Sequence, residues 1–437
     1  MKARRLILFL AVLPGFLLYP QYKPFYNQYN FVYGTKAMAL GNAFTAVADD
    51  LTAVFWNPAG LAALRIPEFY FAYQAESVTQ AYDPQEAVIS DTAQRFDFNG
   101  SSKLKQINFF SISAPAEFWK MKWGFALSYY RYIPYGFKGS AVETLSFPDG
   151  GYMPVTTTMN FKGSEGIDVL AFSTAAGISE YFFLGFTVQQ FFSSGSQHVQ
   201  TLDREGDFHQ QVSESLRGRN LIIGLMFRPF QALSLGFTYH SGLKNNFDSA
   251  LLSWEVDGQG LEKNLSATSS LAQVVIPSQY SLGAALRPVR WLNLSFDYSR
   301  IGWEKGTISD YYDPGSVLPY PQKADFDRPQ KNISNLRLGL EIDLHVRHWL
   351  LHLRGGLSSD RQLYADSSDQ PVRINGYAAG IGCEFSRSLQ LEIAYQSQNA
   401  VWRENGYFPD SPEVPVTYSA ALLKFSLTYR FGRLFKE

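Results

Sequence analysis

The most regular feature of the sequence is a strict alternation of apolar and polar residues within many short segments. Residues 291–299 place Leu, Leu, Phe and Tyr at even positions, each followed by a polar residue. Residues 336–344 and 389–396 follow the same design. A period of two is typical of β-strands that have one apolar and one polar face. The pattern therefore predicts an all-β protein.

Segments of this kind recur after residue 66 and predict about fourteen strands. We expect them at 69–80, 105–114, 123–132, 166–178, 182–192, 217–228, 232–241, 275–287, 291–302, 332–344, 348–358, 373–385, 389–399 and 417–431. Short and long links alternate between them. The short links, expected as tight turns, contain Glu180, Pro229-Phe230, Pro288-Val289, His345 to Arg347 and Arg387. The long links, expected as polar loops, include 134–165, 241–274 and 302–331.

This asymmetry between short and long links favours a membrane barrel over a soluble sandwich. Outer-membrane barrels have short periplasmic turns and long extracellular loops. We therefore expect a transmembrane antiparallel β-barrel of about fourteen strands with both chain ends on the periplasmic side. Its apolar faces would contact outer-membrane lipid, and its polar faces would line the lumen.

The last predicted strand has a continuous apolar face. This face is formed by Ala421, Leu423, Phe425, Leu427, Tyr429 and Phe431. The strand resembles the C-terminal strand by which the barrel-assembly machinery recognises its clients, although residues 432–437 extend beyond its aromatic end. We therefore expect that machinery to be a partner during assembly.

The N-terminus has the layout of a secretory signal. Lys2, Arg4 and Arg5 precede an apolar run over residues 6–18, which matches a signal peptide. We expect a signal peptide over 1–24, with a cleavage site that the sequence does not mark. No later apolar stretch approaches the roughly 20 residues of a membrane helix, so a membrane protein of this sequence must be a barrel.

Between signal and strands lies a stretch of small residues, 33–64, which we expect to fold as short helical pieces packed inside another structure. Asp49 and Asp50 are expected to start a helix near Leu51. Asn57-Pro58 should end it, because the residue before proline is disfavoured in the α region. We expect a plug over 25–66, with a fixed turn at its candidate gating residues, and a barrel over 67–437. The candidate gating residues are Asn57, Pro58, Ala59, Gly60, Asp49 and Asp50.

This stretch also carries a resemblance. Gly41-Asn42-Ala43, then Ala46-Val47-Ala48-Asp49-Asp50, then Trp56-Asn57-Pro58-Ala59-Gly60-Leu61 resembles the N-terminal hatch signature of the FadL/TodX family of outer-membrane transporters. The resemblance implies a bacterial outer-membrane barrel whose cargo, a long-chain fatty acid or another hydrophobic compound, lies in an apolar pocket near cationic residues. A related signature also occurs in barrels that serve protein secretion.

Proline interrupts two of the predicted strands. Strand three is followed by Pro134, and strand eight starts at Ile276-Pro277. Proline removes a ladder donor and is expected at strand ends, edges or bulges, so simple strand termination explains both positions. The resemblance implies a second interpretation, in which a kink in the third strand opens a lateral window through the wall. Both interpretations stay open at this point.

The polar faces of the predicted strands carry many charges. They include Arg337, Glu341, Asp343, His352, Arg354, Glu384, Glu392, Lys424 and Arg430. A soluble core does not accept unpaired charges, whereas a polar lumen holds them as pairs. We expect structural networks in the lumen, in which one basic residue can still meet a carboxylate ligand. The sequence does not identify the residues of the ligand pocket.

Composition and motifs exclude several other functions. The formal net charge of -1 implies no nucleic-acid partner. The single Cys383 excludes an intramolecular disulfide and a multi-cysteine zinc site. His348 and His352 have a spacing that unites ligands on a helix, not on a strand, and the acidic segments 310–316 and 365–370 lack the spacing of a calcium loop. We expect no metal site and no cofactor.

The sequence also contains no recognised catalytic motif, and the adjacent pair His240-Ser241 is weak support for a lipase. We therefore do not expect an enzyme. The leading hypothesis is outer-membrane transport of hydrophobic small molecules, with long-chain fatty acids as the first candidate cargo. The alternatives are an adaptor barrel for protein secretion or surface attachment, and a diffusive porin.

Overall fold

The structure is a computed structural model, and described ranges cover most of the chain. These ranges are 33–89, 92–134, 137–146, 152–162, 166–202, 207–256, 262–302, 307–311, 332–368, 370–404 and 413–432. The predicted signal peptide over 1–24 and the first part of the predicted plug lie outside them.

Fourteen antiparallel strands close into a barrel. The strands are β1 Glu68–Ile89, β2 Thr92–Phe118, β3 Met121–Pro134 with Phe137–Ser146, β4 Tyr152–Lys162 with Gly166–Gly177, β5 Phe182–Leu202, β6 Asp207–Phe230, β7 Leu233–His240 with Leu243–Val256, β8 Glu262–Ile276 with Gln279–Val289, β9 Leu292–Ile301 with Thr307–Tyr311, β10 Ile333–Val346, β11 Trp349–Ala365, β12 Pro371–Glu384, β13 Leu389–Glu404 and β14 Val414–Arg430. β1 pairs with β14, where Glu68 lies opposite Arg430, and this pairing closes the barrel.

The predicted architecture and strand faces are confirmed. Each predicted segment overlaps one of the fourteen strands. Leu336 and Leu338 on β10 are each 51% exposed, whereas Arg337 between them is only 7% exposed and faces the lumen. The apolar side chains therefore point outward, toward lipid.

Short turns join the strands at the end of the barrel where β1 begins and β14 ends. They lie at 119–120, 178–181, 231–232, 290–291, 347–348 and 385–388. Glu180 and Arg387 lie in turns as predicted. Pro229-Phe230 and Pro288-Val289 instead end β6 and β8, and each turn follows directly after. Each proline lies at a register irregularity just before the closing pair of its hairpin, where the ladder needs no donor.

The prediction of long polar loops is wrong for most of the length of two segments, 134–165 and 241–274. Residues 137–146 and 152–162 form a strand pair, and so do 243–256 and 262–276. These segments extend the strands past the apolar band. A ladder needs only backbone donors and acceptors, so it continues without an apolar face. In the third segment, Thr307–Tyr311 is strand, and 303–306 and 312–331 lie outside the described ranges.

The remaining described elements are short helices before β1. They are α1 Thr35–Ala39, α2 Ala53–Trp56 and a 3-10 helix Pro58–Ala63. The predicted helix start near Leu51 is two residues early, because Asp50 Oδ1 accepts hydrogen bonds from the backbone N–H and hydroxyl of Thr52 and holds a turn there. None of the helices in the described ranges is long and apolar enough to cross a membrane.

Candidate functional site

The segment 33–64, called the plug from here on, lies inside the barrel, with side chains that are almost all buried. It contacts the wall through a set of lumen-facing glycines, here called the glycine belt. The belt consists of Gly124, Gly185, Gly224, Gly236, Gly283, Gly339, Gly356 and Gly380. A Cβ added at Gly356 would stand 2.0 Å from the backbone nitrogen of Gly41. Only a glycine permits so close an approach of two backbones.

Pairs of belt glycines also lie directly opposite each other on neighbouring strands. Gly185 faces Gly224, Gly236 faces Gly283, and Gly339 faces Gly356. The sequence interpretation missed this feature. The available signal was a glycine inside a strongly alternating strand, a position that glycine weakens unless a backbone approaches it closely.

The predicted turn at Asn57 joins the plug to β6. Asn57 Nδ2 donates to the carbonyl oxygens of Thr45, at 2.8 Å, and of Leu225 on β6, at 3.0 Å. Its Oδ1 accepts from the N–H of Ala59. Pro58 begins the 3-10 helix, where its missing N–H costs nothing. The turn therefore satisfies plug and wall backbone groups with one buried side chain.

Ala59 and Gly60 complete this contact region. The backbone of Pro58 and Ala59 lies against Gly185 of β5, and Gly60 lies against the carbonyl of Ala48 within the plug. On another side of the plug, Asp297 Oδ2 of β9 accepts from the N–H groups of Phe44 and Thr45, at 2.9 and 2.8 Å.

Asp49 and Asp50 lie elsewhere, toward β10 and β13, and not at the Asn57 turn. Asp49 pairs with Lys36 at 2.9 Å, and Lys36 also pairs with Glu341 of β10 at 3.3 Å. Burial lowers the pKa of Lys36, but the charges of Asp49 and Glu341 outweigh this effect and hold it above its ordinary value. Burial raises the pKa of Asp50 to about 7, and the charge of Asp49 adds to the shift.

The predicted lumen networks are confirmed. Arg354 links Glu341, at 2.6 Å, with Glu392, at 2.7 Å, and Arg337 pairs with Asp360. Ligand atoms of Glu341, Asp343 and His352 lie within 4.8 Å of one another. Because two cations already hold Glu341, this group is a poor metal site.

The wall itself is interrupted between β2 and β3. Pairing runs as far as Phe109 opposite Tyr130 and resumes at Ser102 opposite Phe137. Within the described residues, nothing on β3 pairs with 103–108, so this stretch and 131–134 form a gap, called the wall gap. Pro134 therefore interrupts β3 and does not end it, and Pro277 likewise separates the two segments of β8.

Aromatic side chains, all buried except the partly buried Tyr132, lie on the lumen side of the wall gap. They form an aromatic cluster of Tyr33, Phe55, Phe109, Tyr130, Tyr132 and Phe191. Phe109 and Tyr130 stack at 5.3 Å between ring centroids, at the position where pairing ends. Tyr33 and Phe55 come from the plug, and Tyr33 Oη donates to the carbonyl oxygen of Tyr132 at 3.2 Å. The plug and the edge of the gap are therefore in direct contact.

A buried cation lies on the same part of the wall. Lys424 of β14 is fully buried and lies opposite Gln74 of β1. Gln74 in turn accepts from Asn108 at 3.0 Å, and Asn108 precedes Phe109 of the aromatic cluster. Lys424 and Glu76 are close enough for their charges to interact. The arrangement places a charged pair beside an apolar cluster.

Comparison with known proteins identifies related barrels. Residues 25–307 match the family model described as outer membrane protein transport protein (OMPP1/FadL/TodX). No curated protein sequence gives a significant match. A Pseudomonas aeruginosa FadL homologue aligns with a TM-score of 0.63 at 13% identity, covering 91% of this chain and 98% of that chain.

Two further solved structures share the architecture. The P. putida toluene transporter TodX aligns with a TM-score of 0.59 at 12% identity, covering 92% of this chain and 99% of that one. The Ralstonia pickettii toluene transporter TbuX gives 0.55 at 14% identity, with 92% and 98% covered. At such identities the likeness shows the fold alone.

Proposed function

Because the chain belongs to the OMPP1/FadL/TodX family of outer membrane transport proteins, we propose that it carries hydrophobic small molecules, and specifically long-chain fatty acids, through its plugged barrel. Membership in a transport family, together with the closed barrel, assigns the protein to the bacterial outer membrane.

The observation that carries the proposal is the wall gap beside the aromatic cluster. An apolar molecule gains roughly 25 cal/mol for each Å² that it buries away from water. A cargo held among Tyr33, Phe109 and Tyr130 would reach lipid sideways through the gap without crossing water. This supports the lateral-window interpretation of the third strand.

Fatty acid is favoured as cargo because the same wall offers both an apolar and a charged environment. The aromatic cluster suits an acyl chain, and Lys424 suits a carboxylate, since a charge-assisted hydrogen bond is about twice as strong as a neutral one. A monoaromatic hydrocarbon is the second candidate cargo. The aromatic cluster favours it, and two of the similar structures are described as toluene transporters.

The plug is proposed to act as the gate. Asn57, Pro58 and Ala59 hold it against β5 and β6, and Gly60 packs against Ala48 within the plug. Asp49 reaches β10 through Lys36. Asp50 is assigned to the same role because its partly buried carboxyl follows Asp49 directly. A cargo that displaces Tyr33 or Phe55 would loosen the plug from the wall gap.

Binding of radiolabelled oleate and of toluene to the purified barrel tests the proposal. Lys424→Met combined with Glu76→Gln removes both charges and leaves no unpaired buried charge. We expect oleate affinity to fall about tenfold or more, with toluene binding unchanged. Arg337→Met with Asp360→Asn, a buried ion pair between β10 and β11, is the matched control and should keep oleate affinity.

Other outcomes separate the alternatives. Unchanged oleate affinity in the Lys424 double variant would rule out Lys424 as the group that binds the carboxylate. Binding of neither probe, with a stoichiometric protein partner after mild extraction, would favour the adaptor barrel. Strong ion conduction by the intact protein in planar bilayers would favour a diffusive porin.

A further inference from the structure

Three arginines lie on the outward face of the barrel, in the loop-side parts of their strands. They are Arg300 on β9, Arg361 on β11 and Arg373 on β12. The residues on either side of each arginine in sequence are buried; these are Ser299, Ile301, Asp360, Gln362, Val372 and Ile374. Because side chains alternate along a strand, the arginines point away from the lumen.

The register aligns the three arginines. Arg361 lies directly opposite Arg373 on the neighbouring strand, and Arg300 lies opposite Ser334 on β10. On the next pair of strands, Leu336 lies opposite Ser359. Continuing this register by two residues brings Ser334 opposite Arg361. With strands about 4.8 Å apart, three strand spacings separate Arg300 from Arg373. We call this set the arginine row.

The arginine row has no anionic partner in the described parts of the chain. Like charges directly opposite each other in a sheet are destabilising. Asp360, the neighbour of Arg361 in sequence, is turned to the lumen and pairs there with Arg337. The described ranges contain no ion pair for Arg300, Arg361 or Arg373. A bound anion would remove the repulsion between Arg361 and Arg373.

The surroundings of the row indicate where that anion comes from. On β11, Leu357 is 58% exposed and is followed outward by Ser359 and then Arg361. On β12, Tyr377 is 56% exposed and is followed by Asn375 and then Arg373. Aromatic residues mark the edge of the lipid-facing band in outer-membrane barrels. The arginine row therefore stands just past that edge, at the depth of lipid head groups.

We propose that the arginine row binds the phosphate groups of an outer-leaflet lipid and holds that lipid against β9 to β12. A guanidinium matches phosphate through two parallel hydrogen bonds, so Arg361 and Arg373 together clamp one phosphate. Arg300 contacts the same head group from two strands away. The acyl chains of this lipid lie along the leucines below the row. A free phosphate ion has no acyl chains and cannot make this contact. The occupant is thus a phosphate-bearing lipid.

Lipid retention in nanodiscs tests the proposal. The protein is placed in phosphatidylcholine discs containing a small fraction of lipid A, a doubly phosphorylated glucosamine lipid, and retained lipid is counted by native mass spectrometry. Arg361→Gln with Arg373→Gln should lower lipid A retention about tenfold, because each arginine near an anionic lipid surface contributes substantially to binding. Arg361→Lys with Arg373→Lys should retain an intermediate amount.

A second variant guards against misfolding. Arg373→Glu places a carboxylate opposite Arg361, which supports the sheet through a cross-strand ion pair, yet it should also lose lipid A. Heat-modifiable gel migration confirms a folded barrel in each case.

The matched control is Arg217→Gln with Arg219→Gln, two exposed arginines on β6, and it should retain lipid A. Equal losses from this control and from the row would show diffuse attraction and overturn the proposal. So would unchanged retention in both row variants. Complete displacement of lipid A by millimolar inorganic phosphate would show a free-anion site and would equally overturn it.

Discussion

Tyr33 of the plug donates its hydroxyl proton to the carbonyl oxygen of Tyr132, at 3.2 Å, on the stretch of β3 that faces the wall gap. The plug thereby satisfies a backbone group beside the place where β2 gives β3 no partner. Plug position and the edge of the gap are coupled through this one bond.

Tyr33→Phe should therefore loosen the gap and leave the aromatic packing in place. The lost hydrogen bond contributes about 0.5–1.5 kcal/mol, so opening of the gap should become several-fold more frequent. Amide hydrogen exchange at residues 131–133 measures this. Tyr130→Phe is the control, because the Tyr130 hydroxyl accepts from the side chain of Gln189 and is not the donor to the Tyr132 carbonyl oxygen. Equal exchange in both variants would contradict the coupling.

Asn57→Ala and Pro58→Ala should change fatty acid uptake without preventing barrel formation. Asn57→Ala leaves the carbonyl of Leu225 without this partner, and an unsatisfied buried group costs about 1–3 kcal/mol. Heat-modifiable migration reports the barrel, and uptake per folded molecule reports the gate. Deleting 33–64 should raise single-channel conductance. Lower barrel yield with unchanged uptake per folded molecule would show that the segment is only a folding wedge.

Gly185→Ala should push the plug off the wall. The added Cβ would stand 2.3 Å from the carbonyl carbon of Pro58, which is backbone and cannot turn aside. We expect a folded barrel with increased conductance in planar bilayers. Gly177→Ala is the matched control, since its Cβ would meet nothing closer than the Phe183 ring at 3.4 Å. An unchanged current through Gly185→Ala would show that the belt does not seat the plug.

Leu294→Arg should impair assembly far more than Asn293→Arg. Leu294 faces lipid, where a cation near the midplane costs about 2–4 kcal/mol, whereas Asn293 is buried on the lumen side opposite Glu341. The fraction of heat-modifiable barrel in the membrane measures both. Similar losses for the two variants would contradict the assignment of Leu294 to the lipid-facing side and of Asn293 to the lumen side.

Docking of the plug should weaken as pH rises toward neutrality. Burial raises the pKa of Asp50 to about 7, so the docked plug favours the protonated carboxyl. Stabilisation is complete below the ordinary pKa near 4 and is lost as pH rises to about 7. The hydrogen-exchange protection factors of the plug amides, compared at pH 5 and pH 8, measure this. Asp50→Asn should flatten the difference, and a difference that persists would assign the titration to another group.

The strands and their faces were predictable because the barrel repeats one local pattern. Leu336, Arg337 and Leu338 alternate whatever lies beside them, so their orientation follows from sequence alone. The turn at Asn57 was also predictable from local sequence, because proline restricts the residue before it. The extended strand pairs at 243–256 and 262–276 were missed, because past the apolar band a strand leaves no alternating signature.

The wall gap and the glycine belt depend on partners far away in sequence. Whether Pro134 ends or interrupts β3 is decided by the register between β2 and β3, which no local pattern reveals. In the sequence, Gly224 is only a residue that weakens β6. The structure shows that Asn57 of the plug lies against it. Lys424 was one charge among many until its register with Gln74 connected it to Asn108.

The glycine belt also restricts how such barrels exchange parts. Eight glycines spread over eight strands form an imprint of one backbone path through the lumen. A plug from a relative whose backbone runs a fraction of an ångström differently would meet strand backbone with no side chain able to yield. Plug and barrel are therefore a matched set, and chimeras between relatives should seal only when the imprint is transplanted together with the plug.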